Sequence, residues 1–186
     1  MKKMAALLLL TALLVGCLSG CFLRTVEQGQ TQDIQIVTVP AAQSETAPDA
    51  GDRLSFTTTD LEGNTVTAGD YADAKVIMVN FWEPWCGPCV GELPDLAALY
   101  ENYKDRGLVI LGVFNDQEAD AVQLVADNGI TYPILHYTED LAAYTTMYVP
   151  TTVLFRGDGT LLTEEPLIGS REYADWEYLL LPYLEN

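Results

Sequence analysis

Apolar residues fall into three regimes along this 186-residue chain. At the start, "MAALLLLTALLVG" from Met4 to Gly16 is almost uniformly apolar and follows Lys2 and Lys3. The run is too short to span a bilayer comfortably and has no polar face, so it predicts the apolar core of an export signal. From Phe22 to Asp52 the apolar period is lost among Gln, Thr, Ala and Pro, as in "VTVPAAQSETAPDAGD". That composition suits an extended tether, with a short strand over Asp33–Val39 the most that local propensity offers. From Arg53 the pattern becomes that of a packed domain. "RLSFTTTDLEGNTVTAGDY" holds two β-rich stretches around a Gly-Asn turn, a hairpin. "KVIMVNF" and "LVILGVF" are continuous apolar runs, as in strands buried on both faces of a sheet. Between them, Gly87 to Arg106 has helical spacing, with Val90, Leu93, Leu96, Ala97, Tyr100 and Tyr103 as its inner stripe. Gln117 to Asn128 is a second helix closed by Gly129. "TTVLFRGDGTLLTEEPLIG" reads as two strands around an Asp-Gly turn, and a last helix covers Arg171 to Leu184. Strand and helix alternate first, and a hairpin and helix come last. The fold class is α/β, a mixed central sheet flanked by helices with an extra N-terminal β-hairpin. No internal repeat is present.

Charge narrows the partners. Acidic residues number 27 against 9 basic ones, a formal net charge of −18. Nothing in such a chain would replace the counterions of a phosphate backbone, so nucleic acid is excluded as a partner. The acidity reads as a soluble, self-repelling surface.

The four cysteines divide into two pairs. "LVGC" ends at Cys17 and "LSGC" at Cys21, and both resemble the lipobox of bacterial lipoproteins. In that family a peptidase cuts before the cysteine, whose thiol is then acylated. The Ser-Gly run-up favours Cys21, with Cys17 the alternative. The resemblance divides the chain into a signal peptide over 1–20, a lipid-attached flexible tether over 21–52 and a domain over 53–186. Only Cys86 and Cys89 remain for the domain. With His136, read as an ordinary loop residue, they are too few for a structural zinc site, and no metal is expected. Outside the cytoplasm the pair is free to form a disulfide.

"WEPWCGPC" (Trp82 to Cys89) falls where the first long buried strand gives way to a helix. Cys86 at a helix N-terminus has its thiolate stabilised by unpaired N–H groups and the helix dipole, which lowers its pKa. Cys89, one turn on, is placed to resolve a mixed disulfide formed at Cys86. Pro88 suits the first turn, where its missing amide costs nothing. A purely structural bridge is the competing reading, but a ring this small constrains the unfolded chain little. Cys86 is expected to be partly exposed and Cys89 buried.

"WCGPC" over Trp85–Cys89 resembles the thioredoxin active site, and "VNFW" resembles the strand leading into it. Pro94 falls where thioredoxins kink the active-site helix, and "VPTTVLF" over Val149–Phe155 resembles the segment carrying the family's cis-proline. The resemblance spans about Arg53 to Asn186 and implies a thioredoxin fold. Two departures, Asn80 in place of a buried Asp and Glu92 in "CVGELP", resemble the membrane-tethered TlpA/ResA group of extracytoplasmic thiol–disulfide oxidoreductases. The hairpin fits that group too. Glu83-Pro84 replaces the small, polar residues common there.

The resemblance implies roles. Cys86 attacks a partner's disulfide and Cys89 resolves the intermediate. Trp85 gives apolar contact, and a cis-Pro150 presents the Val149 backbone to an extended partner segment. Glu92, three residues after Cys89, is the nearest acceptor for the Cys89 proton, and Asn80 is structural. The tyrosines of "LAAYTTMYV" are expected to pack around the proline loop. No cofactor is implied beyond the redox-active Cys86–Cys89 pair. The implied partners are protein disulfides, a membrane electron donor for re-reduction, and the membrane itself through the N-terminal lipid. The Gly-Pro dipeptide favours a reductase; an oxidant or isomerase is the alternative, and a redox-inert lipid-anchored binding module a third reading. A peroxidase of the related peroxiredoxin branch is disfavoured, because its Pro-x-x-x-Thr-x-x-Cys setting is absent.

Overall fold

The computed structural model describes residues 53–185. The export signal, Cys17, Cys21, the tether and the strand considered at Asp33–Val39 lie outside the described residues. Among the described residues, no helix is long and apolar enough to cross a membrane.

The domain opens with β1 (Thr57–Thr59) and β2 (Thr65–Thr67), an antiparallel hairpin. Its turn is built by Asp60, whose carboxylate accepts the amides of Glu62 and Asn64, while Gly63 takes a left-handed φ of 83°. A single bridge from Asp60 to Leu135 attaches it to the main sheet. That sheet comprises β3 (Val76–Phe81), β4 (Leu108–Phe114), β5 (Ile134–His136), β6 (Thr151–Phe155) and β7 (Leu167–Ile168), in the order β5-β4-β3-β6-β7. β3, β4 and β5 run parallel, joined through α1 (Gly87–Tyr103) and α2 (Glu118–Asp127). β6 and β7 complete the sheet antiparallel, before α3 (Tyr173–Leu184).

The continuous apolar run of β3 is explained by two cores. Val76, Met78 and Trp82 join the cluster under α1 and α3, whereas Ile77, Val79 and Phe81 join the cluster under the hairpin and the 3₁₀ turn Glu139–Tyr144. Asn80 has the parity of Met78 and Trp82, so the one polar residue of the strand lies on the α1 side of the sheet. Gly112, paired with Asn80 across β3 and β4, leaves room for the Trp82 indole; a Cβ there would lie about 3.2 Å from its Nε1.

Three expectations need correction. The inner stripe of α1 is Cys89, Glu92, Leu93, Leu96, Leu99 and Tyr103, not one including Val90, Ala97 and Tyr100, which are half-buried at its edge. Counting only apolar residues rotated the stripe, because Glu92 occupies an inner position. The second strand of the last hairpin is broken. Leu161 makes one bridge to Phe155, and pairing resumes only at β7, opposite Thr151 and Thr152. His136 is the end of β5, not a loop residue, and its ring lies 5.0 Å from that of Phe114. The three-residue β5 was too short to stand out from the loop around it.

Gly91 lies on the exposed face of α1 with open space where a Cβ would stand. Gly91→Ala is therefore expected to stabilise the domain by about 0.5–1 kcal/mol, read as a raised chemical-denaturation midpoint at unchanged slope.

Candidate active site

The chain leaves β3 at Phe81, buries Trp82 and turns over Glu83–Trp85 into α1. The turn closes with the Cys86 amide donating to the Glu83 carbonyl at 3.0 Å. Cys86 is the N-cap of α1, with extended backbone, and its sulfur accepts the Cys89 amide at 3.3 Å. Cys86 and Cys89 form a disulfide with their Cα atoms 5.2 Å apart. The sulfur position at Cys86 thus already receives a backbone N–H of the kind that stabilises a thiolate.

The Val149–Pro150 peptide is cis, and the Val149 carbonyl oxygen lies 3.5 Å from Cys86 Sγ. Sequence positions 63 residues apart therefore meet at the Cys86 sulfur. This contact also corrects the expected exposure of Cys86. Its residue is 5% exposed and Cys89 1%, so the order holds but both are buried in the disulfide form. Trp85 is 61% exposed beside them. Of the tyrosines expected to pack around the proline loop, Tyr144 is buried against Phe155 at the far end of β6, and Tyr148 is 59% exposed, with Met147 beside it 82% exposed. The surface next to the disulfide therefore offers Trp85, Met147 and Tyr148 as apolar contact area. A cleft of about 210 Å³, lined by Phe81, Trp82, Glu83, Phe114, Tyr148 and Val149, continues from it.

Glu92 lies behind the pair, buried at 2% exposure. Its Oε1 accepts the Arg171 amide and the Trp176 indole N–H, both at 2.8 Å, and Asn80 Nδ2 lies 3.5 Å from Oε2. Asn80 is fixed in turn by donating to Thr152 Oγ1 at 3.0 Å, its direct partner across β3 and β6. Burial pushes the Glu92 carboxyl above the usual carboxylate range, and the three donors with the Arg171 charge pull the other way. A carboxylate held this way is no exposed surface charge of the helix.

A site of this build agrees with comparison to known proteins. The AhpC/TSA family profile matches residues 46–162. Thiol-disulfide oxidoreductase ResA of Geobacillus kaustophilus is 33% identical over 162 residues, 86% of each chain. ResA of Geobacillus thermodenitrificans is 36% identical over 121 residues, 63% of this chain and 66% of that one. This chain belongs to the AhpC/TSA family. It is a thiol–disulfide oxidoreductase of the ResA-like, thioredoxin-fold kind. A thioredoxin-family thiol:disulfide interchange protein from Chlorobium tepidum shares the fold, with a TM-score of 0.65 at 22% identity, over 75% of this chain and 99% of that one.

In this oxidoreductase the residue missed from sequence is Glu83. Its carboxylate accepts the amides of Asn115 and Asp116, at 3.1 and 3.2 Å, just beyond β4. Its own carbonyl holds the Cys86 amide, so one residue ties the redox turn to the next loop. Partial burial raises its carboxyl, with the two amides opposing. Gln117 follows in a left-handed conformation, φ 57°, a departure that such anchoring helps to maintain. The signal available was an acidic residue between Trp82 and Pro84 at a strand end; its partners 32 and 33 residues away were not readable. Glu83→Ala is expected to cost about 1–2 kcal/mol in a denaturant titration, because two backbone donors lose their acceptor.

Proposed function

We propose that the protein is a disulfide reductase of exported or surface proteins, working outside the cytoplasm and held to the membrane by a lipid on Cys21. The observation that carries the reading is the pair itself: Cys86 caps α1 with a backbone N–H on its sulfur, while Cys89 is buried one turn on. In the reduced enzyme, Cys86 thiolate attacks one sulfur of a partner's disulfide, and the other partner sulfur leaves as a thiolate. Cys89 Sγ–H then gives its proton to Glu92, and the resulting thiolate attacks Cys86 Sγ. The Cys89–Cys86 bond forms as the bond from Cys86 to the partner breaks. Two electrons pass from the dithiol to the partner, whose two thiolates take up protons. No cofactor is needed, since the electrons travel in the Cys86–Cys89 pair; a membrane electron donor restores the dithiol.

The partner's extended segment pairs with the Val149 backbone beside Pro150, and its apolar flank rests on Trp85. The 3.5 Å approach of the Val149 carbonyl to Cys86 Sγ supports this placement, because a strand hydrogen-bonded there brings its sulfur to Cys86. The Gly-Pro dipeptide supports the reducing direction. The apolar run before Gly16 and "LSGC" support export and lipidation.

Redox equilibration against glutathione decides the direction. A potential near the roughly −270 mV of thioredoxin supports a reductase, and one near about −120 mV makes the protein an oxidant. Failure to reduce insulin would leave a binding module. Mass spectrometry of the mature N-terminus tests the anchor: diacylglycerol on Cys21 is expected, and a lipidated Cys17 or an unmodified product overturns it.

A further inference from the structure

The two oxygens of Glu92 are not equivalent. Oε1 takes both good donors, the Arg171 amide and the Trp176 indole, while Oε2 has only Asn80 Nδ2 at 3.5 Å, at the limit of a hydrogen bond. A neutral carboxyl in this cradle cannot carry its proton on Oε1, because the O–H would meet two N–H groups already aimed at that atom. Trp176 is fully buried on α3, yet its indole nitrogen has a partner on α1, 84 residues away. Packing alone needs no such pairing; a phenylalanine would fill most of the same space.

We propose that Trp176 is a positioning residue of the dithiol reaction: with the Arg171 amide it reserves Oε1 as acceptor and assigns the proton exchanged with Cys89 to Oε2. The inference rests on the reading of Glu92 as the proton partner of Cys89. The donors also favour the charged carboxylate and so limit how far burial raises it. Other charged and titratable groups face Glu92 as well. Arg171 stands over the Trp176 ring, 5.1 Å from its centroid. Tyr132 is buried close enough that Glu92 adds to the upward push on its phenol, after burial. Asp95, Glu172 and Asp175 line, with Gly91 and Arg171, a cleft of about 490 Å³ that reaches Glu92. That cleft shares no residue with the one beside Val149, so it meets Glu92 from a side other than the partner's.

The test is Trp176→Phe in the full chain, read in two ways. Carboxyl ¹³C resonances give the Glu92 titration midpoint in the reduced protein, and stopped-flow mixing gives the pH profile of the resolution step. Losing one donor to the charged form is expected to move the Glu92 midpoint upward. The pH profile of resolution is expected to move the same way, so that resolution slows several-fold on the acidic limb of the profile. In a Glu92→Gln background the same substitution should leave the profile in place. An unmoved Glu92 midpoint overturns the role given to Trp176. A moved midpoint with an unmoved profile overturns the role given to Glu92, and the proposal with it. Should Trp176→Phe fail to fold, the indole ¹H–¹⁵N resonance of Trp176 in the parent protein decides: it must titrate with Glu92, and an indifferent resonance overturns the proposal.

Discussion

Cys86→Ser is expected to abolish disulfide exchange, whereas Cys89→Ser should perform the first attack and stop at the mixed disulfide. The asymmetry follows from the positions of the two sulfurs. Cys86 caps α1, where its sulfur receives the Cys89 amide and meets the Val149 carbonyl that a partner segment would adjoin. Cys89 is 1% exposed, on the inner face of the helix, and reaches no partner except through Cys86. A Cys89→Ser protein incubated with a disulfide substrate should accumulate the covalent adduct in nearly stoichiometric amount, released by reductant and visible by non-reducing electrophoresis. A Cys86→Ser protein should accumulate none. In the cell the trapped adduct identifies the physiological partner. Equal trapping by the two variants, or trapping only by Cys86→Ser, would reverse the roles or reject them.

Much of this site was legible because its chemistry is local. The Cys86 and Cys89 spacing, Pro88 in the first turn and the strand before them are all contained in fourteen or so residues of sequence, and each follows from helix geometry. The parallel part of the sheet was legible for the same reason, since β3 and β4 are long enough for a two-sided apolar run to stand out. What failed depended on tertiary contact. The stripe of α1 was rotated because a carboxylate was counted as outward, and the donors that let Glu92 turn in come from Asn80 on β3, Trp176 on α3 and the Arg171 amide just before α3. Glu83 was left without a function because its acceptor role is set by the loop beyond β4. The exposure of Met147 and Tyr148 ran against composition. Tyr148 was expected to pack around the proline loop, yet here it flanks the disulfide at the surface with Met147. An exposed apolar set beside a reactive group is what a docking surface needs.

Glu92→Gln is expected to slow the resolution step by about 10²-fold at neutral pH while leaving the first attack by Cys86 unchanged. Glutamine can keep its carbonyl oxygen on the Trp176 and Arg171 donors, so the fold survives, but it accepts no proton from Cys89. The variant's resolution rate should then climb with pH until Cys89 ionises unaided, where the two proteins converge. Stability provides an independent reading. Burial holds the folded Glu92 carboxyl above its ordinary value of 4.5, so the native state keeps this proton over a pH range where the unfolded chain has lost it. Across that window, from the ordinary value up to the raised one, the parent loses stability as pH rises. Glutamine does not titrate, so Glu92→Gln should lack that component of the slope and gain on the parent as the window is crossed. Denaturant titrations of both proteins between pH 4 and 9, compared with stopped-flow resolution rates over about the same range, measure the two effects on one residue. Parallel stability profiles together with matching rates would reduce Glu92 to a structural acceptor for the Arg171 and Trp176 donors, with the Cys89 proton leaving by another path.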